Sequence, residues 1–374
     1  MSAVCQECRG DVFGDQGICE GCGGVAIRPL RTSGDPSIRD GLTPIIQSRI
    51  PELKGTWLKL ESASETGSFK DRIMRVLVRE AVDAGHAMAV VASSGNAAIS
   101  ASFHSARAGL QLVVVVPTTL SKVALGLLSR FPILIIQHGD GPAESHDLAR
   151  RLAHHLGVPN LSSTFSSSGA EMGCRTIGHE VAHQLPDVDV ETIAASISVG
   201  PVLLGTRNGL LEAGRPGTVM VAGQALGCSP IVRAFESGDN EVVPWSEPVT
   251  TSAASIADTL APYAEEATFF LRQLRESEGF MAAADDSELA AIRQKLREVD
   301  GVDVELACCA AVHAVVESGR AGPRTVAVLT GSGQRETLRD QESLEANRHP
   351  GSRAVVTQSN DVEKAAGEVS TWRK

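Results

Sequence analysis

The chain predicts an α/β protein built on parallel sheets covered by helices, preceded by a small cysteine-bearing unit. Three observations predict it. Short, wholly apolar runs such as Leu112-Val113-Val114-Val115-Val116 read as strands buried on both faces. These runs alternate with segments that place apolar or small residues at helical spacing, the pattern of parallel strands joined by crossover helices. The small-residue breaks at 93–96, 199–202 and 330–333 all follow strands, where sheets of this kind bind ligands.

Residues 1–28 form a unit of their own. Cys5-x2-Cys8 and Cys19-x2-Cys22 are two knuckles separated by ten residues, with glycines interleaved. Four thiolates at that spacing suit a tetrahedral structural zinc, and so short a segment has no core to fold on. Disulfides are the alternative, and the absence of an export signal weighs against them. From residue 29 to 345 the chain reads as one catalytic-sized region, and residues 346–374 read as a polar, loose C-terminal tail.

Within that region the elements follow in order. Thr56-Trp57-Leu58-Lys59-Leu60 is a short strand-like run, and a long helical pattern opens at about Ser68 and continues through Arg79-Glu80-Ala81. Lys70 falls on the first turn of that helix, where the positive end of the macrodipole disfavours an ammonium ion and favours an amine nucleophile. The plain alternative is that Ser68 and Asp71 cap the helix and Lys70 is a solvated lysine. Strand 87–92 precedes Ser93-Ser94-Gly95-Asn96 and a helix of small residues from Ala97 to Ala108. Strand 112–116, helix 121–129, strand 133–136 and helix 141–156 complete a smaller lobe at about 75–165. A larger lobe repeats the pattern with helix 173–184, strand 192–199, helix 203–213, strand 218–223 and strand 325–329.

Composition limits the function. Hydrophobic residues make up 43% of the 374-residue chain and aromatics only 3%, so Ala, Val, Leu and Ile must fill the interior. A net charge of -11 argues against nucleic acid or an anionic membrane as partner. No apolar run is long enough to span a bilayer and no signal peptide is visible, so the expected setting is cytoplasmic.

Taken together, these motifs resemble the fold-type II pyridoxal phosphate enzymes, and among them the threonine synthase branch. Thr66-Gly67-Ser68-Phe69-Lys70-Asp71-Arg72 matches that branch's lysine element nearly letter for letter. Ser93-Ser94-Gly95-Asn96-Ala97-Ala98 matches its second signature, and Thr330-Gly331-Ser332-Gly333-Gln334-Arg335 resembles its terminal loop. Gly173-Cys174-Arg175-Thr176-Ile177 and Thr251-Ser252-Ala253-Ala254-Ser255-Ile256-Ala257 resemble two further segments. The resemblance implies two lobes, each a sheet covered by helices. It implies pyridoxal 5'-phosphate held by Lys70 through a Schiff base, with the freed Lys70 amine then serving as base and acid. Asn96 would meet the cofactor's phenolic oxygen and Thr330 its pyridine nitrogen. Gly200, Val202 and Leu203 would bind its phosphate, and Ser93, Ser94 and Gly95 the substrate carboxylate. A homodimer is implied in the same way.

Two departures shape the expected reaction. The stretch Val199-Gly200-Pro201-Val202-Leu203-Leu204-Gly205 replaces a glycine-rich phosphate loop, and Pro201 has no N–H to give. Ala170 stands where many threonine synthases carry an arginine for the substrate phosphate; Arg175 or Lys122 could supply a cation instead. The expected activity is β- or γ-elimination or replacement on a small amino acid, phosphorylated or not, with threonine synthase as nearest named reaction. The alternatives are a β-replacement enzyme of the cysteate or cysteine synthase kind, or a degraded paralogue without activity. Cys174, Cys228, Cys308 and Cys309 read as buried packing residues, and His154-His155 as solvent-facing.

Overall fold

The structure, a computed structural model, describes residues 3–12, 17–29, 42–261, 263–334, 336, 355–359 and 361–372. The chain divides into two compact units, residues 1–69 with 164–334, and residues 70–163 with 335–374.

The larger unit opens with a three-stranded antiparallel sheet of β1 (Ala3–Cys5), β2 (Asp11–Val12) and β3 (Ala26–Ile27), in the order β2-β1-β3. Two further strands, β4 (Ile45–Gln47) and β5 (Trp57–Leu60), pair antiparallel and begin the main sheet.

The chain then builds the smaller unit. Helix α1 (Lys70–Asp83) buries Ile73, Met74, Leu77, Val78 and Ala81, one face at helical spacing. Strands β6 (Met88–Ala92), β7 (Gln111–Val116) and β8 (Leu134–Gln137) are parallel neighbours, as their unbroken apolar runs require. Between them run α2 (Asn96–Ala108), α3 (Lys122–Leu128) and α4 (Pro142–Leu156). Val113, Val115, Leu134 and Ile136 meet Leu148 and Leu152 of α4 in one core cluster.

The larger unit resumes with α5 (Ser168–Gln184), β9 (Thr192–Ser196), α6 (Pro201–Glu212), β10 (Val219–Ala225), α7 (Pro230–Ser237) and α8 (Ala264–Glu276). It ends with β11 (Phe280–Ala284), α9 (Asp286–Lys295), α10 (Cys309–Glu317) and β12 (Thr325–Leu329). The main sheet has six strands in the order β11-β10-β9-β12-β5-β4, all parallel except the β4–β5 pair. Leu58, Ala194, Val221 and Ala327 of this sheet pack against Ala310, Ala314 and Val315 of α10. Helices α5 and α6 approach closely because Gly209 lacks a side chain: a Cβ there would lie 2.0 Å from the Arg175 carbonyl oxygen.

The C-terminal expectation needs correction. Residues 346–354 lie outside the described residues, but β13 (Val355–Gln358) pairs parallel with β8 and α11 (Val362–Trp372) follows it. Ala365 and Val369, four apart on one face of α11, are buried in the smaller unit's core with half-buried Val362, Ala366 and Trp372 beside them. This stretch is an added strand and helix. Its apolar residues are few, but they are correctly spaced.

Candidate active site

Lys70 is the first residue of α1, and the loop before it is pinned. Phe69 N–H donates to the Thr330 carbonyl at 2.9 Å, and Ser68 forms a β-bridge with Gly331. The Lys70 side chain is half-buried, and its Nζ donates to Ser163 Oγ at 2.9 Å. Asp71, next in sequence, points into the smaller unit: Ser100 Oγ donates to its Oδ1 at 2.6 Å, and His104 Nε2 lies 3.3 Å from the same oxygen. The capping alternative for Ser68 fails on geometry, because its hydroxyl is buried without a hydrogen-bond partner among the described residues.

Ser93, Ser94 and Gly95 lie between the C-terminal end of β6 and the start of α2 at Asn96, all half-buried. Gly95 N–H donates to Ser93 Oγ at 3.2 Å, and no side chain caps the helix. An uncapped helix start of this kind directs N–H groups toward an anion.

A second uncapped helix start follows β9. Gly200 precedes α6 with φ of 128°, a conformation closed to L side chains, and a Cβ there would lie 2.2 Å from the Phe270 ring. Pro201 occupies the first helical position, where its missing N–H costs least. Leu203, expected as a phosphate donor, is engaged within the turn, its N–H donating to the Gly200 carbonyl at 3.1 Å.

Thr330 follows β12, the neighbour of β9, and is almost fully buried. Its Oγ1 lies 3.5 Å from Ser196 Oγ and 3.4 Å from Cys308 Sγ. Lys70 and Ser163 therefore come together in the smaller unit, and Gly200, Ser196 and Thr330 gather at the strand ends of the larger. In both units the expected residues follow the C-terminal ends of parallel strands.

Arg175 does not provide a free cation. Its Nε donates to Glu171 Oε1 at 2.9 Å, and its two terminal nitrogens reach Glu171 Oε2 at 2.7 Å and Glu212 Oε1 at 2.8 Å. They also donate to the Arg28 and Pro29 carbonyls at 2.6 and 3.1 Å. Burial alone would lower its pKa, but Glu171 and Glu212 outweigh that and hold it raised. Ala170, on the same helix, is buried. Glu171, Arg175 and Glu212 form a closed ionic cluster.

The four cysteines of the N-terminal unit converge, with all sulfurs within 4.8 Å of one another. Cys5 and Cys22 are 3.5 Å apart, and Cys8 and Cys19 are 3.7 Å apart. A tetrahedron of ~2.3 Å Zn–S bonds has S···S edges of about 3.8 Å. Burial opposes the Cys5 thiolate, yet the N–H groups of Cys8 and Glu7 and the neighbouring thiols draw its pKa down to about 7. The Gly24 N–H favours a Cys22 thiolate, but the surrounding thiols push that group up to about 12. The donor set fits a thiophilic dication. The unit docks at the start of α5 and the residues just before it: Gly17 N–H donates to the Ser166 carbonyl at 2.9 Å and Arg28 Nε to Ser168 Oγ at 3.1 Å.

Sequence reasoning did not single out Ser163, Ser196 or Glu266, and it read Cys308 as a buried packing residue, which is where it lies. The serine-rich run Ser162-Ser163-Thr164-Phe165-Ser166-Ser167-Ser168 was the available signal for the first. Glu266 sits buried in the first turn of α8 and accepts from Thr164 Oγ1 at 3.3 Å. Burial pushes its carboxyl up to about 7, only partly offset by Thr164, Ser166 and the Phe165 N–H. His154 and His155 are exposed, and Cys174 is buried, as read.

Residues 37–331 match the family described as pyridoxal-phosphate dependent enzyme. The chain is 31% identical over 289 residues to threonine synthase of Methanosarcina acetivorans, covering 74% of this chain and 69% of that one. It is 28% identical over 335 residues to threonine synthase of Halalkalibacterium halodurans, covering 85% and 88%. Among solved structures, maize serine racemase superposes with a TM-score of 0.68 at 18% identity, covering 82% of this chain and 94% of that one. The processed form of threonine deaminase isoform 2 from Solanum lycopersicum superposes with a TM-score of 0.67 at 18% identity, covering 84% and 91%. Those structures share the fold. In the larger unit, the open α6 start and the Gly200 cradle fit an anionic group such as the phosphate of the cofactor that the family name states. The chain belongs to the pyridoxal-phosphate dependent enzymes, and within them to the threonine synthase-like lyases.

Proposed function

We propose that this lyase acts on a small amino acid with a leaving group at its β or γ carbon, and that Lys70 is its catalytic amine. The observation that carries the reading is Lys70 Nζ, half-buried at the start of α1 and held 2.9 Å from the Ser163 hydroxyl. When bound, pyridoxal 5'-phosphate supplies an electron sink for the charge left at the substrate Cα. The chain's residues do the rest. Lys70 Nζ would hold the cofactor by its aldehyde, and the Lys70 amine would take the substrate Cα proton and return it. Gly200 and Val202 would offer N–H groups to the cofactor phosphate, Asn96 a hydrogen bond to its phenolic oxygen, and Thr330 a hydroxyl to its ring nitrogen. A hydroxyl there does not enforce a charged ring, which suits elimination and replacement better than transamination. Ser93, Ser94 and Gly95 orient the substrate carboxylate at the α2 start.

The relatives make conversion of O-phosphohomoserine to threonine and phosphate the first reaction to test. A second reading is favoured by one observation, the engagement of Arg175 by Glu171 and Glu212 beside buried Ala170. Without an arginine fork on α5, an unphosphorylated leaving group and β-replacement chemistry become the better fit. Purified protein loaded with pyridoxal phosphate should be given phosphohomoserine, phosphoserine and O-acetylserine in turn. Phosphate release with threonine formation supports the first reading; acetate release that needs an added nucleophile supports the second. No turnover and no spectral response with any amino acid would defeat both. In the N-terminal unit, Cys5, Cys8, Cys19 and Cys22 hold one structural zinc in this reading.

A further inference from the structure

The N-terminal unit has one small core cluster, Ala3, Cys5, Val12, Cys19 and Ala26. So little apolar surface does not hold a segment folded without its metal. What the unit grips lies outside it. Gly17 N–H donates to the Ser166 carbonyl at 2.9 Å, and a Cβ at Gly17 would lie 1.7 Å from the Phe165 carbonyl oxygen. The two backbones therefore meet with no room for a side chain between them. Buried Arg28 reaches α5, with Nε 3.1 Å from Ser168 Oγ and a terminal nitrogen 3.4 Å from Met172 Sδ. Glu7, inside the first cysteine knuckle, pairs with Arg272 of α8. Residues 164 and 165 lie on α8 in turn. The Phe165 and Phe269 rings meet edge to face with centroids 5.3 Å apart, and Thr164 Oγ1 donates to Glu266 at 3.3 Å. Phe270, next on that helix, stands against the Gly200 turn, its ring 2.2 Å from where a Gly200 Cβ would be.

We propose that the N-terminal unit braces the cofactor site: with its metal bound it holds residues 164–168 and α8 in place, and through Phe270 it holds the Gly200 turn. The inference rests on the readings of the four cysteines as a zinc site and of Gly200 as part of the phosphate site. A unit merely appended would meet the rest of the chain through exposed side chains. This one buries Arg28 and makes a backbone contact that only glycine fits. The Glu7–Arg272 pair is about half exposed and contributes little by itself. Its place matters more, because it ties a cysteine knuckle to the helix that carries Phe270. Metal loss unfolds the knuckles and releases Arg272 and the Ser166 carbonyl. Helix α8 then keeps its contacts with α6, α7 and β10 but loses this cover.

The test uses the full chain as wild type, as wild type stripped of zinc by a chelator that is then dialysed away, and as Gly17→Ala. The substitution drives a Cβ into the Phe165 backbone and leaves all four cysteines in place. Elemental analysis reads zinc per chain, and deuterium uptake reads the peptides covering 164–168 and 264–276. Equilibrium dialysis reads pyridoxal phosphate affinity. Stripped protein and zinc-bound Gly17→Ala should both exchange faster in the two peptides, with strands 111–116 and 134–137 of the smaller unit unchanged. Both should bind pyridoxal phosphate at least about fivefold more weakly, the lower range of ordinary coupling between sites. Faster exchange confined to residues 1–28, or affinity unchanged in both proteins, would overturn the brace. Wild type that neither holds nor takes up zinc would overturn the metal dependence, and Gly17→Ala alone would then decide the brace. Gly200→Ala is measured beside them. Affinity unchanged there would remove the phosphate reading and this inference with it.

Discussion

Arg175→Met removes the centre of a buried ionic cluster and should destabilise the larger unit severely. In the native chain the guanidinium satisfies two carboxylates, Glu171 and Glu212, whose side chains are 1% and 4% exposed. It also satisfies the Arg28 and Pro29 carbonyls. Methionine fills similar volume and donates nothing. Asn208 still donates to Glu171 at 2.7 Å, and His179 Nε2 stays 2.8 Å from Glu212, so neither carboxylate is stripped of every partner. The loss should accordingly match that of one broken buried pair, about 3–5 kcal/mol, instead of the sum over all contacts. At roughly 2–4 °C per kcal/mol for a unit of this size, the melting point should fall by about 10 °C. Urea unfolding followed by far-ultraviolet circular dichroism reads the change. Adding Glu171→Leu and Glu212→Leu to Arg175→Met should recover most of it, because an apolar cluster owes no desolvation cost. A loss under about 1 kcal/mol for the single variant would refute the reasoning and return Arg175 to candidacy as a ligand-binding cation.

Other perturbations test other parts of the account. Glu266 is held near pKa 7 in the fold against an ordinary value of 4.5, so the folded state binds its proton more tightly than the unfolded one. Stability from this group is full below pH 4.5 and is lost as pH rises through about 7. Glu266→Gln should therefore gain up to about 3 kcal/mol relative to wild type between pH 4.5 and pH 8 in a urea series, and a pH-independent difference would contradict it. Gly200→Ala places a Cβ against Phe270 at a φ of 128°, and should weaken pyridoxal phosphate binding at least about tenfold in equilibrium dialysis. Elemental analysis should find one zinc per chain, lost in Cys8→Ser; metal-free protein with an unchanged melting curve would contradict the metal reading.

The smaller unit's sheet was legible because β6, β7 and β8 carry unbroken apolar runs that fit only a strand buried on both faces. Lys70, Asn96, Gly200 and Thr330 stood out in short motifs, and the roles proposed for them rest on the resemblance. β11 was not, since Phe280-Met281-Ala282-Ala283-Ala284 has a helix-forming composition and becomes a strand by pairing with β10. β13 and α11 hid behind a polar stretch, and their docking depends on contacts with β8 and α4 far back in the chain. The Arg175 cluster was half visible: Glu171 stands one helical turn away, but Glu212 arrives from α6, which no local pattern predicts. Cys308 was legible as a buried residue, but its 3.4 Å approach to Thr330, 22 residues on, is set by the fold and not by any local pattern.

The most direct test of the central claim is to load the protein with pyridoxal phosphate, reduce it with borohydride, digest it and locate the pyridoxyl group by mass spectrometry. The account predicts a single labelled peptide, carrying the group on Lys70, and no label in Lys70→Ala. Label on another lysine, or none on the wild type, would contradict it.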